Sequence, residues 1–161
     1  MSTPNATILL VEDDPNDVLF LKMAFESIGV ENPIVESRDG REAQDYLAGK
    51  GGYADRGAHP LPYLLLLDLK LPQLMGLDLL NWIRRRSELD SMIVVVLTSS
   101  ANPTDVDRAY QLGANAYVVK PSGFEKLQAV AKSIKEFWLR NNQPGSLFYN
   151  AKPAQPVTLS D

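Results

Sequence analysis

The stretch Leu64 to Pro72, LLLLDLKLP, constrains this chain more than any other. Alternate residues of a strand face opposite sides, so four consecutive leucines make both sides apolar. ATILLV at 6–11 and MIVVVLT at 92–98 have the same character. Strands apolar on both faces belong in a parallel sheet covered by helices on each side. The leucine run ends on Asp68, and an aspartate seldom enters a core without a partner.

Between these runs lie amphipathic segments. PNDVLFLKMAFESIG (15–29) reads as a helix that opens near Pro15 and closes at Gly29. PIVES (33–37) reads as a shorter strand and GREAQDYLAG (40–49) as a short helix. GLDLLNWIRRR (76–86) and PTDVDRAYQLG (103–113) are further helices, and AYVV (116–119) a fifth strand. GFEKLQAVAKSIKEFWLR (123–140) is a long last helix, with Phe124, Leu127, Ala131, Ile134 and Trp138 at three-four spacing. Five β-α units with right-handed crossovers predict a doubly wound α/β domain. One domain is expected over 6–140, followed by a polar, proline-rich tail over 141–161 and no output domain.

Composition narrows the chemistry. The 161 residues carry a net charge of -4, which disfavours direct binding to nucleic acid or to an anionic membrane. There is no cysteine, hence no disulfide and no thiolate site. The single histidine, His59, sits in a Gly/Pro-rich stretch, so a Ser-His-Asp triad or a histidine metal site would rest on it alone. No apolar run approaches the length of a membrane span, and MSTPNA lacks the basic and apolar parts of a signal peptide. A soluble, cytoplasmic protein is expected.

In a doubly wound sheet, ligands bind beyond the carboxyl ends of the strands. Glu12, Asp13 and Asp14 follow the first strand, Asp68 the third, Thr98 and Ser99 the fourth, and Lys120 and Pro121 the fifth. Asp14 reads as a cap for the next helix. If the other strand ends lie side by side, they bring carboxylates, a hydroxyl and an ammonium to one rim. Clustered carboxylates repel one another, and a hard divalent cation such as Mg²⁺ removes that repulsion. A hydroxyl and a lysine beside them suit a phosphoryl group, whose charge spreads over three oxygens. The constellation suggests Mg²⁺-assisted phosphoryl transfer onto Asp68 as nucleophile.

The pieces ILLVEDD, LLLLDLKLPQLMG, VVVLTSS and GANAYVVKP, in this order, resemble the receiver domain of two-component response regulators over roughly residues 6–139. The resemblance implies a flavodoxin-like five-stranded parallel sheet of order 2-1-3-4-5 with five helices. It implies Asp68 as phosphoacceptor, and Asp13 with its acidic neighbour Glu12 at the Mg²⁺ site. The Lys70 backbone carbonyl is implied as a further metal ligand. Thr98 would be the switch hydroxyl, Lys120 the partner of Asp68 and of the phosphoryl oxygens, and Tyr117 the aromatic coupled to the switch. A cis peptide is implied before Pro121. The resemblance also implies a histidine kinase as donor and output through a protein partner or a phosphotransfer domain.

Two departures stand out. Where the family usually has a capping Asp or Ser ahead of the third helix, this chain has Met75, which has no capping oxygen. Lys70 occupies a variable position two residues past Asp68, where its charge is expected to tune the lifetime of the phosphoryl group. The extended segment AGKGGYADRGAHPLPYL (48–64) and the aromatic KEFWLR (135–140) resemble single-domain receivers that partner bacterial phytochromes, which implies a light-sensing kinase. Leu147, Phe148 and Tyr149 give the tail an apolar anchor, expected to pack on the domain or on a second copy in a homodimer. Leu19, Phe20 and Met23 lie off the core stripe of the first helix, on the face that receivers usually offer to a kinase.

Three alternatives remain open. An aspartate-nucleophile phosphatase would place Asp-x-Asp after its first strand, which VEDDPND does not match. A flavin carrier would need a phosphate cradle where three acidic residues stand. An adaptor that works without phosphorylation would share every motif.

Overall fold

A computed structural model of the chain describes residues 6–141. The expected packing of the 147–149 anchor lies outside these residues. The five strands are β1 (Ile8–Val11), β2 (Ile34–Ser37), β3 (Leu64–Leu67), β4 (Ile93–Thr98) and β5 (Ala116–Val119). They alternate with helices α1 (Pro15–Ser27), α2 (Gly40–Ala48), α3 (Gly76–Arg84), α4 (Pro103–Gln111) and α5 (Phe124–Ile134). The sheet is parallel, in the order β2-β1-β3-β4-β5.

Two cores account for the four leucines. Leu64 and Leu66 face α1 and α5, packing with Ile8, Leu10, Phe25 and Ile134. Leu65 and Leu67 face α2 and α3, packing with Leu9, Val11, Tyr46, Leu79 and Ile83. α4 adds Ala109 against Val96 and Leu69 on the second side. The central strands β1 and β3 are buried throughout, while the edge strands β2 and β5 are half-exposed over most of their length.

The last helix departs from the sequence expectation. After Ile134 the chain widens into a π-helical turn, Lys135–Asn141. A wider turn brings the inward-facing position round later. Leu139 is buried as a result, while Trp138, expected on the core stripe, packs at the edge of the core.

The segment before β3 is pinned rather than merely extended. Helices leave their last carbonyls unpaired. Here Arg56 donates to the carbonyls of Tyr46 (2.8 Å) and Leu47 (2.7 Å) at the end of α2 and to that of His59 (3.1 Å). Gly49 closes α2 in the left-handed conformation, at φ 67°. His59 stands edge-on to the rings of Tyr46 and Tyr53. Its environment is that of a structural residue.

α3 starts at Met75 with no side-chain cap, as its sequence implied. Met75 is half-exposed at 51% and its backbone is extended. Met75→Ser is therefore expected to raise stability by about 1 kcal/mol. Chemical denaturation of both proteins would check this, and an unchanged midpoint would count against the cap.

Candidate phosphoryl-acceptor site

The strand register builds the site. Val11 pairs with Leu67 across β1 and β3, so Glu12 and Asp68 emerge side by side one residue later. Thr98 pairs with Val119 across β4 and β5, so Lys120 emerges next to Thr98. The Lys120 N–H donates to the Thr98 carbonyl (2.7 Å), and the Asp68 N–H to that of Val11 (3.0 Å). Glu12, Asp68 and Thr98 are thus mounted at the ends of buried strands, and Lys120 at the end of the half-exposed edge strand β5.

Asp68 is 7% exposed and fully engaged. Its Oδ1 accepts from the Thr98 hydroxyl at 2.8 Å and the Lys70 N–H at 3.3 Å. Its Oδ2 accepts from Lys120 Nζ at 2.9 Å. Burial by itself would raise the pKa of Asp68, but bonds from Glu12, Lys120 and Thr98 outweigh it and lower the pKa. Burial also acts on Lys120, and its bonds to Asp68, Glu12 and Asp17 outweigh it and hold the ammonium charged. Glu12, 3% exposed, is the group that yields. Burial and its bond to Asp68 push its pKa up to about 8.

One oxygen each from Glu12, Asp13 and Asp68 can lie within 4.8 Å of one another. Three carboxylate oxygens at the open rim are the hard donors that Mg²⁺ takes, with water completing the shell. Asp13 supplies the exposed side of this set. Asp14 is not part of it: its side chain caps α1 by accepting from the Asn16 N–H at 2.8 Å.

Tyr117 packs beside Leu69, Val96 and Ala109, and its hydroxyl donates to the Ser100 carbonyl at 2.8 Å. That bond ties β5 to the β4–α4 loop, two residues beyond Thr98. The peptide before Pro121 is trans, against the expectation of cis. Trans is the lower-energy form of an X-Pro bond by about 0.5–1 kcal/mol.

Two participants were not foreseen. Asp17, on the first turn of α1, accepts from Lys120 Nζ at 2.9 Å. Ser100 holds Tyr117 through its carbonyl and Asp105 through its hydroxyl (2.5 Å). Asp17 sits five positions past Glu12, where one more turn of chain returns it to the same rim. The helix assignment at Pro15 could have suggested that return.

Beside Lys120 lies a cleft of about 350 Å³ between α1 and the start of α5. Phe20, Pro121, Phe124 and Leu127 line it together with Asp17 and Lys120. Leu19, Phe20 and Met23 on α1 are 54%, 48% and 45% exposed, an apolar face continuing outward from the site.

A family model for the response regulator receiver domain matches residues 8–132, and the chain belongs to that family. It is 42% identical over 139 residues to the probable methanogenesis regulatory protein FilR2 of Methanothrix harundinacea, covering 86% of this chain and 87% of FilR2. It is 35% identical to the response regulator Rcp1 of a Synechocystis strain, covering 86% of this chain and 92% of Rcp1. The phosphorylated cyanobacterial phytochrome response regulator RcpA has the same fold at a TM-score of 0.82 and 36% identity, covering 88% of this chain and 99% of RcpA. A structure of Rcp1 with Mn²⁺ bound aligns at a TM-score of 0.79 and 33% identity, covering 88% of this chain and 99% of that one. The relationship to receivers that serve phytochromes, expected from the 48–64 and 135–140 segments, is borne out. Among the described residues, no helix is long and apolar enough to cross a membrane.

Proposed function

We propose that this receiver accepts a phosphoryl group on Asp68 from a histidine kinase and signals through a change in protein association or a further phosphoryl transfer. One observation carries the reading. A buried carboxylate at the end of β3 is held between the Thr98 hydroxyl and the Lys120 ammonium, beside two more carboxylates able to share a cation. A salt bridge that only stabilised the fold would need neither the extra carboxylates nor an opening to the rim.

The chemistry follows from these groups. An Asp68 oxygen forms a bond to phosphorus as the P–N bond to the donor imidazole breaks. The imidazole leaves with the electron pair and takes up a proton. Lys120 and Thr98 stand where negative charge on the phosphoryl oxygens would meet a cation and a hydroxyl donor. Glu12, Asp13 and Asp68, with the Lys70 carbonyl, would hold Mg²⁺. The ion would offset charge on the transferring group. The product acyl phosphate draws on Thr98, and Tyr117, tied to the loop beyond Thr98, carries the change to the α4–β5–α5 side. The output is a population shift driven by these differential contacts.

The α1 face and the adjoining cleft suit the helical bundle on which a kinase presents its phosphohistidine. The phytochrome relatives support a light-sensing kinase as donor. Receivers act as signalling proteins, and the chemistry here is confined to the chain's own phosphorylation and dephosphorylation, in the cytoplasm.

Incubation with acetyl phosphate and Mg²⁺, followed by intact-mass measurement and peptide mapping, tests the reading. A gain of one phosphoryl group on Asp68, lost on chelation of Mg²⁺, is expected. No gain with or without the metal would reject it. Lys70, exposed beside the acceptor, gives a further expectation. Lys70→Asn should change the dephosphorylation rate by about threefold, the scale of one screened charge near the reacting group. An identical decay rate would assign Lys70 no part.

A further inference from the structure

We infer that Asp17 is a positioning residue that holds Lys120 in the unphosphorylated state and releases it when Asp68 is phosphorylated. The inference rests on the reading of Asp68 as acceptor. A lysine ammonium has three N–H donors. In this site all three are taken: by Glu12 Oε2, by Asp17 Oδ2 at 2.9 Å and by Asp68 Oδ2 at 2.9 Å. Once Asp68 is an acyl phosphate, the donor it held passes to a phosphoryl oxygen, and any further contact to the phosphoryl group must displace Glu12 or Asp17.

Glu12 and Asp17 differ in what release would cost. The Glu12 side chain is only 4% exposed. A polar group left without a partner there is penalised. The Asp17 side chain is 44% exposed, so water takes over the vacated oxygen. Asp17 is the partner that lets go. Before phosphorylation it draws Lys120 toward α1, and its charge also opposes an incoming anion. It thereby favours the unphosphorylated state.

The pair also joins the reaction to a surface. Asp17 and Phe20 lie one turn apart on α1, and both line the cleft beside Lys120. A protein seated on α1 would cover Asp17 and act on the same ammonium that must turn to the phosphoryl group.

Asp17 has a competing structural role, as an acidic residue in the first turn of α1. Negative charge there stabilises a helix. The two roles predict different results. The probe is beryllium trifluoride with Mg²⁺, a non-covalent stand-in for the phosphoryl group, measured by isothermal titration calorimetry on the full chain. Asp17→Asn should bind it about three-fold more tightly, the scale of a half-exposed ion pair. Asp17→Ser, without the amide, should shift affinity in the same direction. Asp17→Glu, which restores the charge, should return affinity toward the starting value, and the gain should shrink in high salt. Unchanged or weaker binding by the folded Asn and Ser variants, with only a lower Tm, would overturn the inference and leave Asp17 as a helix-stabilising acid. No binding by the unsubstituted protein would instead overturn the acceptor reading, and this inference with it.

Discussion

Asp68→Asn should abolish phosphorylation by acetyl phosphate and leave the fold in place. An amide oxygen is too weak a nucleophile to take a phosphoryl group at neutral pH, so the effect is loss of the whole signal. The fold should survive because Asn keeps an oxygen to accept from Thr98 and Lys70 where Oδ1 now does. Lys120 keeps Glu12 and Asp17. The lost charge-assisted bond costs about 1.5–3 kcal/mol, and relief of repulsion from Asp13 offsets part of it. Intact-mass measurement with a circular dichroism melt checks both halves. A phosphoryl gain at the unsubstituted level would move the acceptor to another carboxylate, with Asp13 the first to examine.

Gly76→Ala should destabilise the protein by about 3 kcal/mol, the upper part of the range for overpacking. An added Cβ would fall 2.2 Å from the Asp68 carbonyl oxygen and 2.7 Å from the Leu69 Cα. Both are backbone atoms of the segment that carries Asp68, so relief requires α3 or the end of β3 to move. The Gly76 N–H also donates to the Leu69 carbonyl at 2.9 Å, which pins the two segments at that distance. The Tm should fall by about 10 °C, and phosphorylation should slow because Asp68 is displaced from Lys120 and Thr98. Thermal unfolding and a phosphorylation time course report the two effects. A stable variant with normal kinetics would show that the loop after Asp68 is softer than its contacts imply.

Most of the architecture was legible in the chain because its signals are local. Period-two burial on both faces marks β1, β3 and β4, and the capping Asp14 marks the start of α1. The meeting of Glu12, Asp13, Asp68, Thr98 and Lys120 was legible because each follows a strand, and a parallel sheet brings strand ends to one rim. The end of α5 was less legible. Its π turn reverses which of Trp138 and Leu139 is buried, and no spacing rule signals the widening.

Long-range partners lay beyond the sequence for a different reason. Arg84, Arg85 and Arg86 look alike as a run of three charges. Only tertiary structure selects Arg84 to bond the carbonyls of Gly113, Asp90 and Met92 and the Asn115 side chain. Arg86, by contrast, stays with its near neighbours Glu88 and Trp82. The peptide before Pro121 is trans where cis was expected.

By itself, the sequence determined that two-sided apolar strands would be buried under helices and would carry Asp68 to a rim with Glu12, Asp13, Thr98 and Lys120. Those outcomes follow from side-chain alternation and strand order, which neighbouring residues encode. Tertiary structure alone decided that Lys120 would be shared among Glu12, Asp17 and Asp68. Lys120 and Asp17 are 103 residues apart in the chain, and only the packing of α1 beside α5, on the same face of the sheet, brings them to 2.9 Å.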